Sequence, residues 1–286
     1  MRSAGLPPLS AAYAIVIAGC LAVLAWLIGR PLLAARRRGV LEARALSAAE
    51  RALLVRHWAG YARVPPALVP RLDALTAVFL GEKEFVGCGG LAVTPAMRLA
   101  VAAQACLLVL GRAGRAYEAL RSVLIYPSQF VVPDQWHDED GVVTEEELVL
   151  SGQAWDVSRI LLSWEDVGES GRGDEAYNVV IHEFAHYLDL EAGGAAGTPW
   201  LDSAAARRSW AEVLGAEFGR LQEAVARGEK HFLDEYGAHD EAEFFAVASE
   251  AFFEQPRELA RCLPALYGEL RGYYRLDPAT WRTLET

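Results

Sequence analysis

His182-Glu183-Phe184-Ala185-His186 places two imidazoles one helical turn apart with a carboxylate between them. Neutral imidazoles at i and i+4 can both reach one Zn²⁺, leaving room for a third ligand and for water. Zinc would lower that water's pKa to about 7, and Glu183, too far round to be the natural ligand, is placed to take its proton as a carbonyl is attacked.

A helix must carry the motif. Tyr177 to Leu190 contain no Gly or Pro and follow Gly173-Asp174, which suits an N-cap. At about 100° per residue His182, His186 and Asp189 share one face, and Tyr177, Val180, Ile181, Phe184 and Leu188 form an apolar stripe opposite. The helix is expected to have a packing side and a chemical side.

The third ligand decides the class of site. A metzincin extension requires Gly at 189 and His at 192, and the chain has Asp189 and Ala192. A carboxylate from a later helix is the other common solution, and Asp240 to Phe253 reads as such a helix. Asp240 can cap it, Phe245, Ala248 and Phe252 form its core side, and Glu243 and Glu250, seven apart, share the other face. Asp240-x-x-Glu243 also has the spacing of a capping box, and Glu250 reads equally as a solvated or supporting carboxylate, so spacing leaves both open. Asp189 could orient a ligand imidazole, accept a backbone N–H, or simply be solvated. His239 reads as a loop histidine, and His57, His137 and His231 have no ligand spacing.

The segments HEFAHYLD (182–189), LSGQAWD (150–156), VLIYPSQFVV (123–132) and AEFFAVASEAFF (242–253), with a YRLDP close, occur in an order that resembles the Mlc titration factor A family of zinc-dependent peptidases. The likeness runs from about Leu46 to Pro278. It implies a gluzincin-type centre in which Glu243 is the third ligand and Tyr236, seven residues earlier, faces the site and donates to the oxyanion. It also implies aminopeptidase-like activity on a peptide or protein substrate. A second reading, from the family's name, is a regulatory protein that sequesters a partner such as a transcriptional repressor.

The elements that must hold this site come from 286 residues of net charge −11. Ala11 to Ile28 is an uninterrupted apolar run, long enough to cross a bilayer. Arg30 and Arg36 to Arg38 follow it, so the positive-inside rule predicts a single-pass anchor in the cytoplasmic membrane with the catalytic domain facing the cytoplasm. The competing expectations are a cleaved signal peptide or a soluble cytoplasmic protein.

Residues 1–45, read as anchor and basic juxtamembrane segment, carry a net +5, and residues 46–286, read as the metallopeptidase domain, carry −16. That acidity argues against nucleic acid as a partner. Cys20, Cys88, Cys106 and Cys262 show no paired spacing and are expected as free thiols.

The second part can bury one core. Leu46-Ser47-Ala48-Ala49-Glu50 opens a helix with an S-x-x-E box, Met97 to Gly111 reads as a buried helix, and short strands are expected at Val123–Tyr126, Val142–Val149 and Ile160–Trp164. Asp134 to Glu147 reads as a solvated acidic loop. The sum is an α+β, zincin-like domain with a small sheet and an HExxH helix, preceded by one transmembrane helix.

Overall fold

The computed structural model describes residues 11–281 except 45, 115, 129, 138–142, 151, 157, 172–175 and 195. Contacts divide the chain into two compact units, Met1–Arg44 and Ala45–Thr286.

The first unit carries one helix, α1 (Ala11–Glu42). It is longer than the apolar run predicted, because Arg36, Arg37 and Arg38 extend it without a break and Arg38 pairs with Glu42 one turn on at 3.2 Å. Pro31 lies inside it and withdraws one backbone donor without ending it. Thirty-two residues span about 48 Å at 1.5 Å each, more than a hydrocarbon core requires. Val16–Glu42 is a candidate membrane span by length and composition, a test that N-terminal signal sequences also pass.

The second unit is mostly helical. It opens with α2 (Ala48–His57), α3 (Gly60–Arg63), α4 (Val69–Glu82), β1 (Glu84–Gly87) and α5 (Pro95–Leu107). Ser47 and Glu50 form the capping box expected of α2. Five strands come next: β2 (Ser122–Tyr126), β3 (Phe130–His137), β4 (Val143–Leu150), β5 (Gly152–Asp156) and β6 (Arg159–Ser163). Helices α6 (Trp164–Glu169), α7 (Val179–Glu191), α8 (Ala204–Ala226), α9 (Glu241–Glu254), α10 (Pro256–Cys262) and α11 (Pro264–Tyr274) complete it.

The main sheet has the order β1-β2-β6-β5, with β1, β2 and β6 parallel and β5 antiparallel on the edge. Alternation along the strands sends Val123, Ile125, Ile160 and Leu162 into the main core and leaves Leu124, Tyr126 and Leu161 in a small cluster on the other face. The three expected strands are present within a residue or so of their predicted ends; β1, β3 and β5 were not anticipated. The acidic loop expected at Asp134 to Glu147 is instead largely an antiparallel hairpin, with Asp134 opposite Glu146 across β3 and β4. Its tip, residues 138–142, lies outside the described residues.

Helix α7 packs against α5, α9, β5 and β6. Its apolar stripe is buried as predicted at Val180, Ile181, Phe184 and Leu188, and Phe184 meets Phe79 and Tyr117 at ring separations of 5.8 and 5.1 Å. Burying one such ring contributes about 1.5–3 kcal/mol, enough with its neighbours to fix the roll of α7. That roll determines where the histidines point.

Candidate metal centre

The start of α7 differs from the expectation. Asn178 is the N-cap, its side chain accepting from the Ile181 N–H at 3.1 Å, so Tyr177 lies outside the helix; Gly173-Asp174 fall outside the described residues. Asn178 also donates from Nδ2 to Gln104 at 2.9 Å and to Glu254 at 2.7 Å, and Glu254 pairs with Arg63 at 2.5 Å. The helix start is thereby tied to α3, α5 and α9 through buried polar groups that satisfy one another.

One turn in, His182 and His186 bring their Nε2 atoms to 3.1 Å of each other. Glu243 Oε2 lies 3.1 Å from the first and 3.2 Å from the second. Ligand atoms of these three side chains all lie within 4.8 Å of one another, a grouping that could hold a metal ion. Two imidazoles and one carboxylate suit a catalytic zinc, which keeps a position open for water.

At Glu243 the backbone and the side chain have different partners. Asp240 caps α9 by accepting the Glu243 backbone N–H at 2.9 Å, and the Glu243 carboxylate faces the two histidines. Burial opposes its charge, but hydrogen bonds from His182 and His186 outweigh that and hold it well below the usual carboxylate range. Glu250, two turns further along α9, is buried behind His182. Its Oε1 is 2.8 Å from His182 Nδ1, and its Oε2 accepts the Asn178 backbone N–H.

Glu183 is 3% exposed, and its Oε2 has no hydrogen-bond partner among the described residues. Burial pushes its carboxyl up to about 7 against the opposing pull of His182 and His186. A buried carboxylate oxygen without a donor is uncommon in structural positions and suits a group that must receive a proton. Tyr236 sits in a 3₁₀ turn, Glu235–Ala238, with its hydroxyl 3.5 Å from Glu243 Oε1 and its ring 6.0 Å from that of His182. It is 47% exposed, and partial burial with the neighbouring Glu243 charge pushes its phenol up to about 12, so it remains a donor.

Asp189 takes the backbone role among those considered for it. Buried at the end of α7, it accepts the N–H groups of Gly197 and Thr198 at 2.7 and 2.8 Å. Gly197 has φ +66°, and a Cβ there would lie 2.1 Å from the Glu241 carbonyl oxygen. The 197–198 loop is thus clasped between the end of α7 and the start of α9. The His239 ring lies tilted 5.2 Å from that of Tyr236 and is not part of the ligand group; His57 lies near Trp164, and His231 accepts the Leu233 N–H.

Residues 32–275 match the family model described as glucose-regulated metallo-peptidase M90. The chain belongs to this family. It is 36% identical over 214 residues to Mlc titration factor A of Serratia proteamaculans, covering 73% of this chain and 80% of that one. The Klebsiella pneumoniae strain 342 protein of the same name is also 36% identical, over 220 residues, 76% of this chain and 82% of its own. An uncharacterized protein of Synechocystis sp. is 34% identical over 267 residues, 93% of this chain and 97% of that one. So wide an alignment leaves too few residues outside it to exclude α1, whereas the resemblance read from motifs began only near Leu46. Membership in M90 makes a metal-dependent peptidase the frame in which the His182, His186 and Glu243 cluster is to be understood.

The Asn178 cap escaped sequence reasoning, while Glu250, left open between a solvated and a supporting carboxylate, touches the rear of His182. The seven-residue spacing of Glu243 and Glu250, two turns on one face, was the signal that both address the same side of α9.

Proposed function

We propose that this M90 protein is a zinc-dependent, gluzincin-type metallopeptidase that hydrolyses peptide bonds, with aminopeptidase-like preference. The observation that carries the reading is the convergence of His182, His186 and Glu243 beside a buried Glu183 oxygen that has no partner among the described residues. His182, His186 and Glu243 would hold the metal, the two Nε2 atoms and one carboxylate oxygen facing one another. When bound, zinc supplies Lewis-acid activation of water and of the scissile carbonyl.

Glu183 accepts the proton of the attacking water and passes it to the departing amine. Its burial keeps the carboxylate basic enough for that exchange near neutral pH. Tyr236 donates its hydroxyl proton in a hydrogen bond to the oxyanion that develops on the carbonyl oxygen, and its position at the exposed rim lets it meet a peptide as it enters.

Residues 1–45 serve as a membrane anchor and basic juxtamembrane segment and 46–286 as the peptidase domain. Arginines 30 and 36–38 keep the domain on the cytoplasmic side. A second reading, sequestration of a regulatory protein, draws on the name of the Serratia and Klebsiella relatives, Mlc titration factor A.

The test is a peptide-library cleavage profile of the zinc-loaded full chain in detergent, wild type beside Glu183→Gln. The peptidase reading predicts cleavage by the wild type only, with zinc retained in both. Equal cleavage by the variant would remove Glu183 from the mechanism.

A further inference from the structure

We infer that Glu250 is a positioning residue of the metal centre: it fixes the His182 ring and tautomer so that Nε2 is presented to the metal. The inference rests on the metal-centre reading above and concerns a group placed outside the ligand set.

His182 has its Nε2 turned toward His186 and Glu243 and its Nδ1 toward Glu250 Oε1 at 2.8 Å. An ionised carboxylate accepts and does not donate, so the nitrogen facing Glu250 carries a proton, and a metal held at Nε2 leaves Nδ1–H as the ring's one donor. A ligand histidine is commonly oriented through its second nitrogen in this way. Glu250 is itself held: its Oε2 accepts the Asn178 backbone N–H, and Asn178 is the N-cap of the helix that bears both histidines. The carboxylate therefore joins α9 to the first turn of α7 and aims His182 at the same time. Asp189, one turn beyond His186 on α7, spends both oxygens on the 197–198 loop.

Its place on α9 gives Glu250 a leverage that an isolated carboxylate lacks. Glu243 and Glu250 are two turns apart on one rigid helix, one in front of the His182 ring and the other behind it. A rotation of α9 that withdrew the ligand would also withdraw the support, so the two halves of the centre form or fail together.

Zinc affinity of the full chain in detergent, measured by competition with a chromophoric chelator, tests this with wild type and Glu250→Gln. Folding of the variant is checked by circular dichroism. The side-chain ¹⁵N spectrum of His182 in the zinc-loaded wild type reports which ring nitrogen carries the proton and needs no variant to fold. A weakening of about 10- to 100-fold in Glu250→Gln, together with an Nδ1–H tautomer in the wild type, is the expected result. A folded Glu250→Gln with affinity within twofold of wild type, or an Nε2–H tautomer in the wild type, overturns the inference while leaving the metal centre standing. Failure of the wild type to bind zinc would instead overturn the metal-centre reading, and this inference with it.

Discussion

Replacing Glu183 by Gln is expected to abolish hydrolysis and, in the metal-free protein, to raise stability in a pH-dependent way. Burial lifts the Glu183 carboxyl from an ordinary 4.5 to about 7. A group whose pKa is raised on folding contributes its full stabilisation below the unfolded value and loses it as pH rises through the folded one. Ionised Glu183 therefore destabilises the fold at alkaline pH, and the isosteric neutral amide does not. Each pKa unit is worth about 1.4 kcal/mol, so the advantage of Gln is about 1 kcal/mol at pH 5.5 and about 3 kcal/mol at pH 8. For a unit of this size the latter shifts Tm by about 6 to 12 °C. Thermal denaturation of chelator-treated full chain in detergent, followed by circular dichroism at the two pH values, measures both. A variant no more stable than wild type at pH 8, or an advantage independent of pH, would refute the account of Glu183 as a carboxylate held against its desolvation.

Tyr236→Phe removes a hydroxyl from the rim of the centre, and its kcat should fall about 100-fold or more with zinc content unchanged, as read by steady-state kinetics and elemental analysis. Asp189→Ala strips the acceptor from two backbone N–H groups and should destabilise the unit by about 2–4 kcal/mol in denaturant titration, where Ala196→Ser on the exposed loop should have little effect. Gly197→Ala puts a Cβ against the Glu241 carbonyl and strains a left-handed backbone, so it should displace the start of α9 and weaken zinc binding, measurable by chelator competition.

The helical register of the motif was legible in the sequence because it follows from local periodicity: the spacing that aligned His182 with His186 also buried Val180, Ile181, Phe184 and Leu188. Helix α9 and its Asp240 cap were legible for the same reason. The use of Glu243 was not legible from spacing, since the position suits either a cap or a ligand, and only the family resemblance implied the ligand role; the docking of α9 on α7 turns its side chain to the histidines. Asn178 was passed over in favour of Gly173-Asp174 because its capping role depends on Gln104 and Glu254, each more than seventy residues away in sequence. Strands β1 and β5 are short edge strands, whose identity comes from their neighbours in the sheet and not from alternation of their own. The acidic residues from Asp134 onward suggest a loop and conceal β3, which pairs with the expected strand β4.

Zinc content of the purified full chain, compared among wild type, His182→Ala, His186→Ala and Glu243→Ala, tests the central claim most directly. The account predicts stoichiometric zinc in the wild type and its loss from each of the three variants while they stay folded. Full zinc retention by folded Glu243→Ala would contradict the assignment of the third ligand and the centre built on it.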